Sequence, residues 1–563
     1  MNRNEILHNL RQHPNLNVLI VGGGINGIGV FRDLALNGVD VLLVERGDFC
    51  SGASAASSHM AHGGIRYLEN GEFRLVREAV RERNRMIENA PHLVHPLPTT
   101  IPIFKIFSGL FNAPLKFLGW LDKPAERGAF IIKIGLIMYD AFTGKKRAVP
   151  PHTFEPRRKA LAKFPRLNPK VRYIATYYDG SIFSPERLAL EILLDGEAEG
   201  PHARALNYVS LIGAQGGQVT LRDELSGETF DVRPKLLINA AGPWIDFANR
   251  ALGVSTRYIG GTKGSHIILD HPVLRQAIGN HEFFFENKDG RIVLIFPLAD
   301  KVMLGTSDIP VSDPDSVRCT DDEVDYFLDM LDRVFPHLEV GRDQIIFSFS
   351  GVRPLPASNA KSAGQISRDH SIQVLDGPWT GLAFPVYSLV GGKWTSFRAF
   401  AEQVTDKALT HLGFSRQKQT SDLAIGGGKN YPRSEAEQNR YIDGLCAWTA
   451  LPQERVRSLF ERYGTRAEQI AMYLAREADH PLKTLPGYSR REVGYLALYE
   501  KVEHLDDVVL RRSMLAFLGQ LTRPALAELA EVLAEVLGWD AARQAAEVRR
   551  CLEILADRHG VRL

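Results

Sequence analysis

The chain has 563 residues, 44% hydrophobic and 24% charged. That is the make-up of a globular protein of a few domains, and it excludes a disordered, collagen-like or coiled-coil chain. Lysine plus arginine total 68 against 66 aspartate plus glutamate, a net charge of +2, so net charge gives no reason to expect a nucleic-acid partner.

Cys50, Cys319, Cys446 and Cys551 form no CxxC. Neither a zinc site, nor any other metal site, nor a disulfide framework is expected, and a reducing cytoplasmic setting fits. The first 17 residues lack the apolar core of a secretory signal. No stretch of about 18 apolar residues runs free of charge or proline, so no membrane span is expected.

In chain order, Asn17–Val21 is a short β-branched run that reads as a buried parallel strand. Gly22, Gly23, Gly24 and Gly27 follow it, then a helical pattern over 28–37 stopped by Gly38, then a second strand, Val39–Val44, ending in Glu45. This is a β-α-β unit. Residues 50–64, CSGASAASSHMAHGG, are small and polar. Their place after that unit suggests a ligand-hugging loop, although such composition also makes linkers. Phe73–Asn89 reads as a long helix whose charges are its solvated face. Lys235–Asn239 is another strand, closed by AAGPW. Short strands over 259–308 suggest a mostly antiparallel sheet. Thr380–Val390 is one more strand, followed by Gly391-Gly392 and a helix from near Thr395. Residues 417–433 read as a linker, and the remainder as helical.

Gly22-x-Gly24-x-x-Gly27 follows a strand and opens a helix. The first glycine permits the tight turn, the second lets a pyrophosphate approach the backbone, and the third lets helix and strand pack closely. The helix N-terminus offers amides and partial positive charge to phosphates. Glu45, at the end of the next strand, can accept hydrogen bonds from ribose hydroxyls. The motif alone does not separate NAD from FAD. The 51–64 loop and the Gly391-Gly392 turn favour FAD, since a second helix N-terminus can face a flavin ring that gains negative charge on reduction.

Basic residues recur beside glycine turns: Arg66-Tyr67, His266 in KGSH, Arg353 in SGVRP, Arg368 in ISRD and Lys393 after the double glycine. Each alone reads as a surface charge or ion-pair partner. Converging, they would make an anion pocket.

Taken together, VGGGINGIG, SAASSHMAHGGIRYLENGEFRLV, NAAGPW, KGSHI, SGVRPL, ISRD and GGKWTSFR stand in the order found in aerobic FAD-dependent glycerol-3-phosphate dehydrogenases, and the chain resembles that family from about residue 16 to 433. The resemblance implies an α/β fold. A glutathione-reductase-like FAD-binding Rossmann domain would comprise 1–95, 170–255 and 345–415. A mixed or antiparallel-sheet substrate domain would comprise 96–169 and 256–344, and an α-helical C-terminal domain 416–563. It implies oxidation of sn-glycerol 3-phosphate to dihydroxyacetone phosphate by hydride transfer to FAD, with membrane quinone as acceptor. The flavin contacts it implies are Gly22, Gly24, Ile25, Asn26, Gly27, Glu45, Arg46, Ser57, Ser58, Gly63, Gly64, Ala241, Gly242, Gly391, Gly392 and Lys393. The substrate contacts are Arg66, Tyr67, Arg353, Arg368 and Lys393. His266, with an imidazole that titrates near neutrality, is the expected general base, and Lys393 and Arg353 are its rivals.

The chain departs from the family pattern at His59-Met60, where a lysine and a leucine are common, at Ala241 for threonine, and at Trp394 for leucine. Its 101–127 segment is also longer. Two other readings compete: an oxidase that passes electrons to oxygen, and a flavin-binding RNA-modification or regulatory protein. Finally, 102–121, PIFKIFSGLFNAPLKFLGWL, is amphipathic, aromatic and basic. Its first part reads as a helix and its second as another after Pro114, lying flat in the membrane interface. A peripheral place on the inner face of the cell membrane follows, with a core or dimer-forming hairpin as the alternative and a homodimer as a further possibility.

Overall fold

A computed structural model describes residues 2–65, 72–106, 128–142, 148–287, 291–358, 369–376 and 380–563. Its first sheet runs in the order Ser371–Leu375, Val386–Val390, Thr229–Asn239, Asn15–Val21, Val41–Val44, Ala203–Leu206. The strand Asn15–Val21 is parallel to both neighbours, and along this order Ser371–Leu375, at one edge, is antiparallel to its own. Both faces of this sheet are covered, which is why its strands are continuous apolar runs rather than alternating ones. The helix Ile25–Leu36 packs on it with Ile28, Phe31 and Leu34 fully buried. The first half of Thr229–Asn239 leaves the core to pair with Gln218–Asp223, which in turn pairs with Val209–Gln215.

The second sheet is mixed. Thr262–Leu269 pairs antiparallel with Lys301–Gly305 and with Ile345–Arg353. From Lys301–Gly305 the order continues through Ile292–Leu298, Glu282–Glu286, Val94–Ile103 and Tyr173–Ile182. The pair Glu282–Glu286 with Val94–Ile103 is parallel. The strands Tyr173–Ile182 and Ile345–Arg353 fall inside the ranges 170–255 and 345–415 expected for the nucleotide domain, yet both pair within this second sheet. Alternation along Ile292–Leu298 separates two cores. Val293 and Ile295 face the helix Asp321–Val334, while Leu294 and Phe296 face the C-terminal helices.

Those helices include Glu435–Thr449, Gln453–Tyr463, Arg490–Tyr499, Arg523–Leu537 and Ala541–His559. Thr522 caps the fourth, and Pro524 sits in its first turn, where a missing amide proton costs nothing. Residues 417–433 are not a loose linker. Gly426, Gly427 and Gly428 are buried, with the Gly426 and Gly427 amides donating to Asp195 and Glu191.

Phe73–Asn89 is helical as expected, but not all of its charges are solvated. Glu82 and Arg83 are buried, the first paired with Arg398 and the second with Asp179. At the start of the amphipathic segment, Pro102 and Ile103 end the strand Val94–Ile103 and are not helical. Ile103 is buried in a core with Val76, Val80 and Tyr139. Residues 107–121 of that segment lie outside the described residues. No described helix is long and apolar enough to cross a membrane.

Candidate active site

At the end of Asn15–Val21 the backbone turns through Gly22 at φ +113°, a conformation side chains disfavour, and a Cβ there would lie 2.6 Å from the Ala240 carbonyl oxygen. A Cβ at Gly27 would overlap the Gly22 carbonyl oxygen. The turn therefore has room for glycine only, and the helix Ile25–Leu36 sits hard against the strand. Gly24 is its N-cap and has no side chain to occupy the first-turn amides. The Ile25 N–H donates to Ser54 Oγ at 3.0 Å. Asn26 donates through Nδ2 to the Gly391 carbonyl at 3.1 Å, while its Oδ1 is a buried acceptor without a hydrogen-bond partner among the described residues.

Glu45 closes the other side. Its Oε2 accepts from the Gly23 N–H at 2.7 Å and its Oε1 from the Gly47 N–H at 3.0 Å. Burial pushes its carboxyl above the ordinary range, against the pull of those two amides. The carboxylate thus fixes the glycine turn, and each oxygen keeps a lone pair for a ribose hydroxyl. Arg46 points away, paired with Asp315 and lying 4.5 Å over the Trp244 ring. The turn Ala241-Gly242 is held by a buried amide network. Asn239 Nδ2 donates to Asn249 Oδ1 at 2.7 Å, and its Oδ1 accepts from the Ala241 N–H.

The small-residue loop is fastened at several points. Trp394 Nε1 donates to the Ser54 carbonyl at 2.9 Å, and Thr395 Oγ1 to the His62 carbonyl at 3.1 Å. The Gly391-Gly392 turn is thereby tied to the loop. Both glycines have positive φ, and a Cβ on Gly392 would meet Asn26 Nδ2 at 2.5 Å. Ala56 packs against Gly351, where a side chain would overlap it. The Gly63 N–H donates to Asp179 Oδ1 at 2.9 Å. Asp179 also takes Tyr139 OH at 2.5 Å and the wholly buried Arg83 at 3.3 Å. Ser57 Oγ accepts from the His59 N–H, and Gly64 has a positive φ.

The loop also reaches the second sheet, with Ser58 Oγ 2.8 Å from His266 Nε2. His266 is buried on the strand Thr262–Leu269, stacked on Phe349 at 4.8 Å and 9°. A Cβ on Gly305 would overlap its ring. Burial, then the Arg353 charge and His59, hold its pKa well below the usual imidazole range. Its other nitrogen, Nδ1, is buried without a hydrogen-bond partner among the described residues. Arg353 lies one strand over. It donates through Nη2 to Thr306 Oγ1 at 2.9 Å and stands 3.3 Å from Asp308, its guanidinium covering Gly264. Lys263 of the same KGSH run is committed to Glu323 at 2.7 Å.

The structure therefore brings together Gly22, Gly24, Ile25, Asn26, Gly27 and Glu45, the 51–64 loop with Ser57, Ser58, Gly63 and Gly64, the Gly391–Lys393 turn, and His266 with Arg353. Arg66, Tyr67 and Arg368 lie outside the described residues. Sequence reasoning missed Asp179, Arg83 and Tyr139, which brace Gly63 from three separate elements. It also missed Ser54 and Trp394, whose bond joins two motifs 340 positions apart. No local pattern marks such pairs. The asparagine before AAGPW was the one readable signal, since a buried amide ending an apolar strand must find partners.

The glycine cradle, the open first turn and the orphaned Asn26 acceptor suit a dinucleotide. The FAD dependent oxidoreductase family matches residues 17–384, and the C-terminal domain of alpha-glycerophosphate oxidase matches residues 418–544. A glycerol-3-phosphate dehydrogenase from Synechocystis is 33% identical over 94% of each chain. A D-erythritol 1-phosphate dehydrogenase from Brucella abortus is 30% identical over 88% of this chain and 93% of that one. Among solved structures, the glycerol-3-phosphate dehydrogenase from Bacillus halodurans complexed with FAD shares the fold, with a TM-score of 0.74 at 22% identity over 99% of this chain and 97% of the other.

Proposed function

The chain belongs to the FAD-dependent glycerol-3-phosphate dehydrogenase and oxidase family, and from that premise we propose that it oxidises sn-glycerol 3-phosphate to dihydroxyacetone phosphate and delivers the electrons to a membrane quinone. The observation that carries the reaction is the Ser58–His266 hydrogen bond, which joins the loop beside the nucleotide cradle to the strand that carries the basic residues.

The glycine cradle would hold FAD, which would supply the acceptor for the hydride from C2. The chain's own residues do the rest. Gly22, Gly24 and Gly27 would admit its pyrophosphate, Glu45 would accept from a ribose hydroxyl, and the Gly391–Lys393 turn would lie at its flavin end. Arg353, set by Thr306 and Asp308, orients the substrate phosphate with Lys393, Arg66, Tyr67 and Arg368. His266 is only 2% exposed, whereas Ser58 is half-buried. The C2 hydroxyl therefore gives its proton to Ser58 Oγ as the serine gives its own to His266 Nε2. Burial keeps His266 neutral and also weakens it as a base, so its part in the step rests on the Ser58 hydrogen bond that positions it. A positioned base of this kind contributes about 10²–10⁴-fold, and fixed orientation supplies a further large share of the acceleration.

The quinone acceptor is supported by a surface suited to lipid. The helix Ala129–Phe142 exposes Phe130, Ile134 and Ile137 on one face, and it follows the amphipathic segment 102–121 in the chain. We place the protein peripherally on the inner face of the cell membrane. The Brucella relative's name brings D-erythritol 1-phosphate into consideration as an alternative substrate.

The test is anaerobic titration of the purified yellow protein. Bleaching by sn-glycerol 3-phosphate supports the reading. Bleaching by D-erythritol 1-phosphate alone would transfer the assignment to that substrate, and no bleaching by either would refute it. Turnover with a quinone analogue under argon, against oxygen consumption in air, separates dehydrogenase from oxidase.

A further inference from the structure

We propose that Phe517, contributed by the C-terminal helical region, is a positioning residue for His266; the proposal rests on the reading of His266 given above. Phe517 is buried and touches both of the supports that fix the imidazole. Its ring centroid lies 5.7 Å from that of Phe349, whose ring stacks on the His266 face. It also lies 5.8 Å from His59, the residue after Ser58, which bonds His266 Nε2. One support sets the tilt of the ring and the other sets where Nε2 meets its hydroxyl partner.

His59 has little freedom to compensate. It holds a positive φ of 53°, and its Nδ1 bonds the Phe183 carbonyl at 3.3 Å. Its ring is wedged between Phe517 and Phe296. Phe517 is anchored in turn. It follows Arg511 and Arg512, both gripping the buried Asp48, and its ring packs on Phe347 at 4.6 Å. Phe347 also stacks on His559, near the chain's C-terminus. Aromatic edges and faces have preferred geometries, so removing one ring from this set lets the others rotate. A ring rotation that moves Nε2 a fraction of an ångström from Ser58 Oγ is enough to spoil proton transfer. The C-terminal region thus reaches the reacting hydroxyl without touching substrate.

The experiment uses the full-length, FAD-loaded protein. Phe517→Ala should lower kcat about ten- to a hundred-fold while KM and flavin content stay near wild type. It should also shift the ¹⁵N resonances of His266, assigned by their loss in His266→Asn. In the His266→Asn background the same substitution should cost less than about twofold, because residues acting as a unit are non-additive. Equal losses in both backgrounds, or unmoved His266 resonances in flavin-loaded Phe517→Ala, overturn the proposal. Should Phe517→Ala fail to load flavin, Phe517→Leu carries the test. It keeps most of the volume without the flat ring, so smaller shifts of the same resonances are expected and unchanged ones refute it. If His266→Asn alone retains kcat, the assignment of His266 to the reaction fails, while the resonances still decide whether Phe517 positions it.

Discussion

Asp48 and Arg512, 464 positions apart, form a two-pronged ion pair, with Nη1 2.5 Å from Oδ2 and Nη2 2.9 Å from Oδ1, both side chains essentially without solvent contact. Arg511 grips the same carboxylate, and Asn207 donates to it at 3.0 Å. The two guanidinium groups outweigh the cost of burial and hold the Asp48 carboxyl well below the usual range. A charge so placed fastens the C-terminal region to the nucleotide-binding sheet just after Glu45.

Removing Asp48 leaves Arg512 buried with only carbonyl partners among the described residues, while Arg511 keeps Asp506 and Asp507. Asp48→Ala should cost about 3–5 kcal/mol of stability, read as a lower urea midpoint. An unchanged midpoint would mean that water reaches the arginines. Because the folded pKa is depressed, this contribution is present above the unfolded carboxyl's range near 4 and lost as pH falls through the folded value.

The glycine cradle makes a second prediction. Gly392 has φ +95°, and a Cβ there would press on Asn26 Nδ2. Gly392→Ala should therefore pay about 1–3 kcal/mol in backbone strain and push Asn26 off the Gly391 carbonyl. Purified variant should carry less flavin, measured as visible absorbance relative to 280 nm. Gly38→Ala, where nothing lies within 4 Å of the added carbon, serves as the control for positive φ alone.

The β-α-β unit was legible because glycine spacing, strand composition and the closing acid are all local. Expected over 28–37, the helix begins three residues earlier, at Ile25, since Gly24 provides a cap without announcing one. The strand Val386–Val390 is shorter than its apolar run, because its antiparallel pairing with Ser371–Leu375 spans those five residues. Least legible was the buried polar wiring. Glu82 and Arg83 look like one more solvated charge pair on a helix rich in charge, and only tertiary partners on Arg398 and Asp179 reveal otherwise. Ser58 was readable as a loop residue, but its meeting with His266, 208 positions away, was not.

His266 gives a prediction about pH. Burial holds its pKa well below the usual imidazole range, so the neutral form that can accept a proton persists as the medium turns acidic. The kcat/KM profile should lack the inflection near pH 6.5 of an exposed histidine and fall only at lower pH. His266→Asn should lower kcat about 10²–10⁴-fold. A near-wild-type kcat in that variant would remove the histidine from the reaction.

Glu282 titrates in the opposite sense. It is fully buried, its Oε2 accepts from Thr99 Oγ1 at 3.0 Å, and its Oε1 has no hydrogen-bond partner among the described residues. Burial pushes its carboxyl up to about 8. A raised folded pKa means stability fully present below the unfolded value near 4.5 and lost progressively as pH rises to about 8. Glu282→Gln mimics the protonated acid. It should match wild type in urea at pH 5 and exceed it by roughly a few kcal/mol at pH 8.5. Equal midpoints at both pH values would show that the acid is solvated.

The helix Ala129–Phe142 tests the membrane reading. Phe130 and Ile137 are each 53% exposed and Ile134 is 44%, at spacings of four and three that align them on one face. The opposite face carries Leu136 and Tyr139, fully buried, and Tyr139 OH bonds the Asp179 that holds Gly63. The outer side chains therefore support no core contact that a polar residue would destroy. Sinking the exposed half of three such side chains into lipid yields roughly 2–4 kcal/mol, and Lys133 beside them adds about 1 kcal/mol on an anionic surface. That is enough for reversible attachment and too little for insertion. Phe130→Ser/Ile134→Ser/Ile137→Ser should keep its flavin and its bleaching by substrate, yet float poorly with anionic liposomes and lose turnover with quinone held in the bilayer. A variant that floats as well as wild type would move the contact to another surface, and one that loses flavin would show that the helix supports the site from both faces.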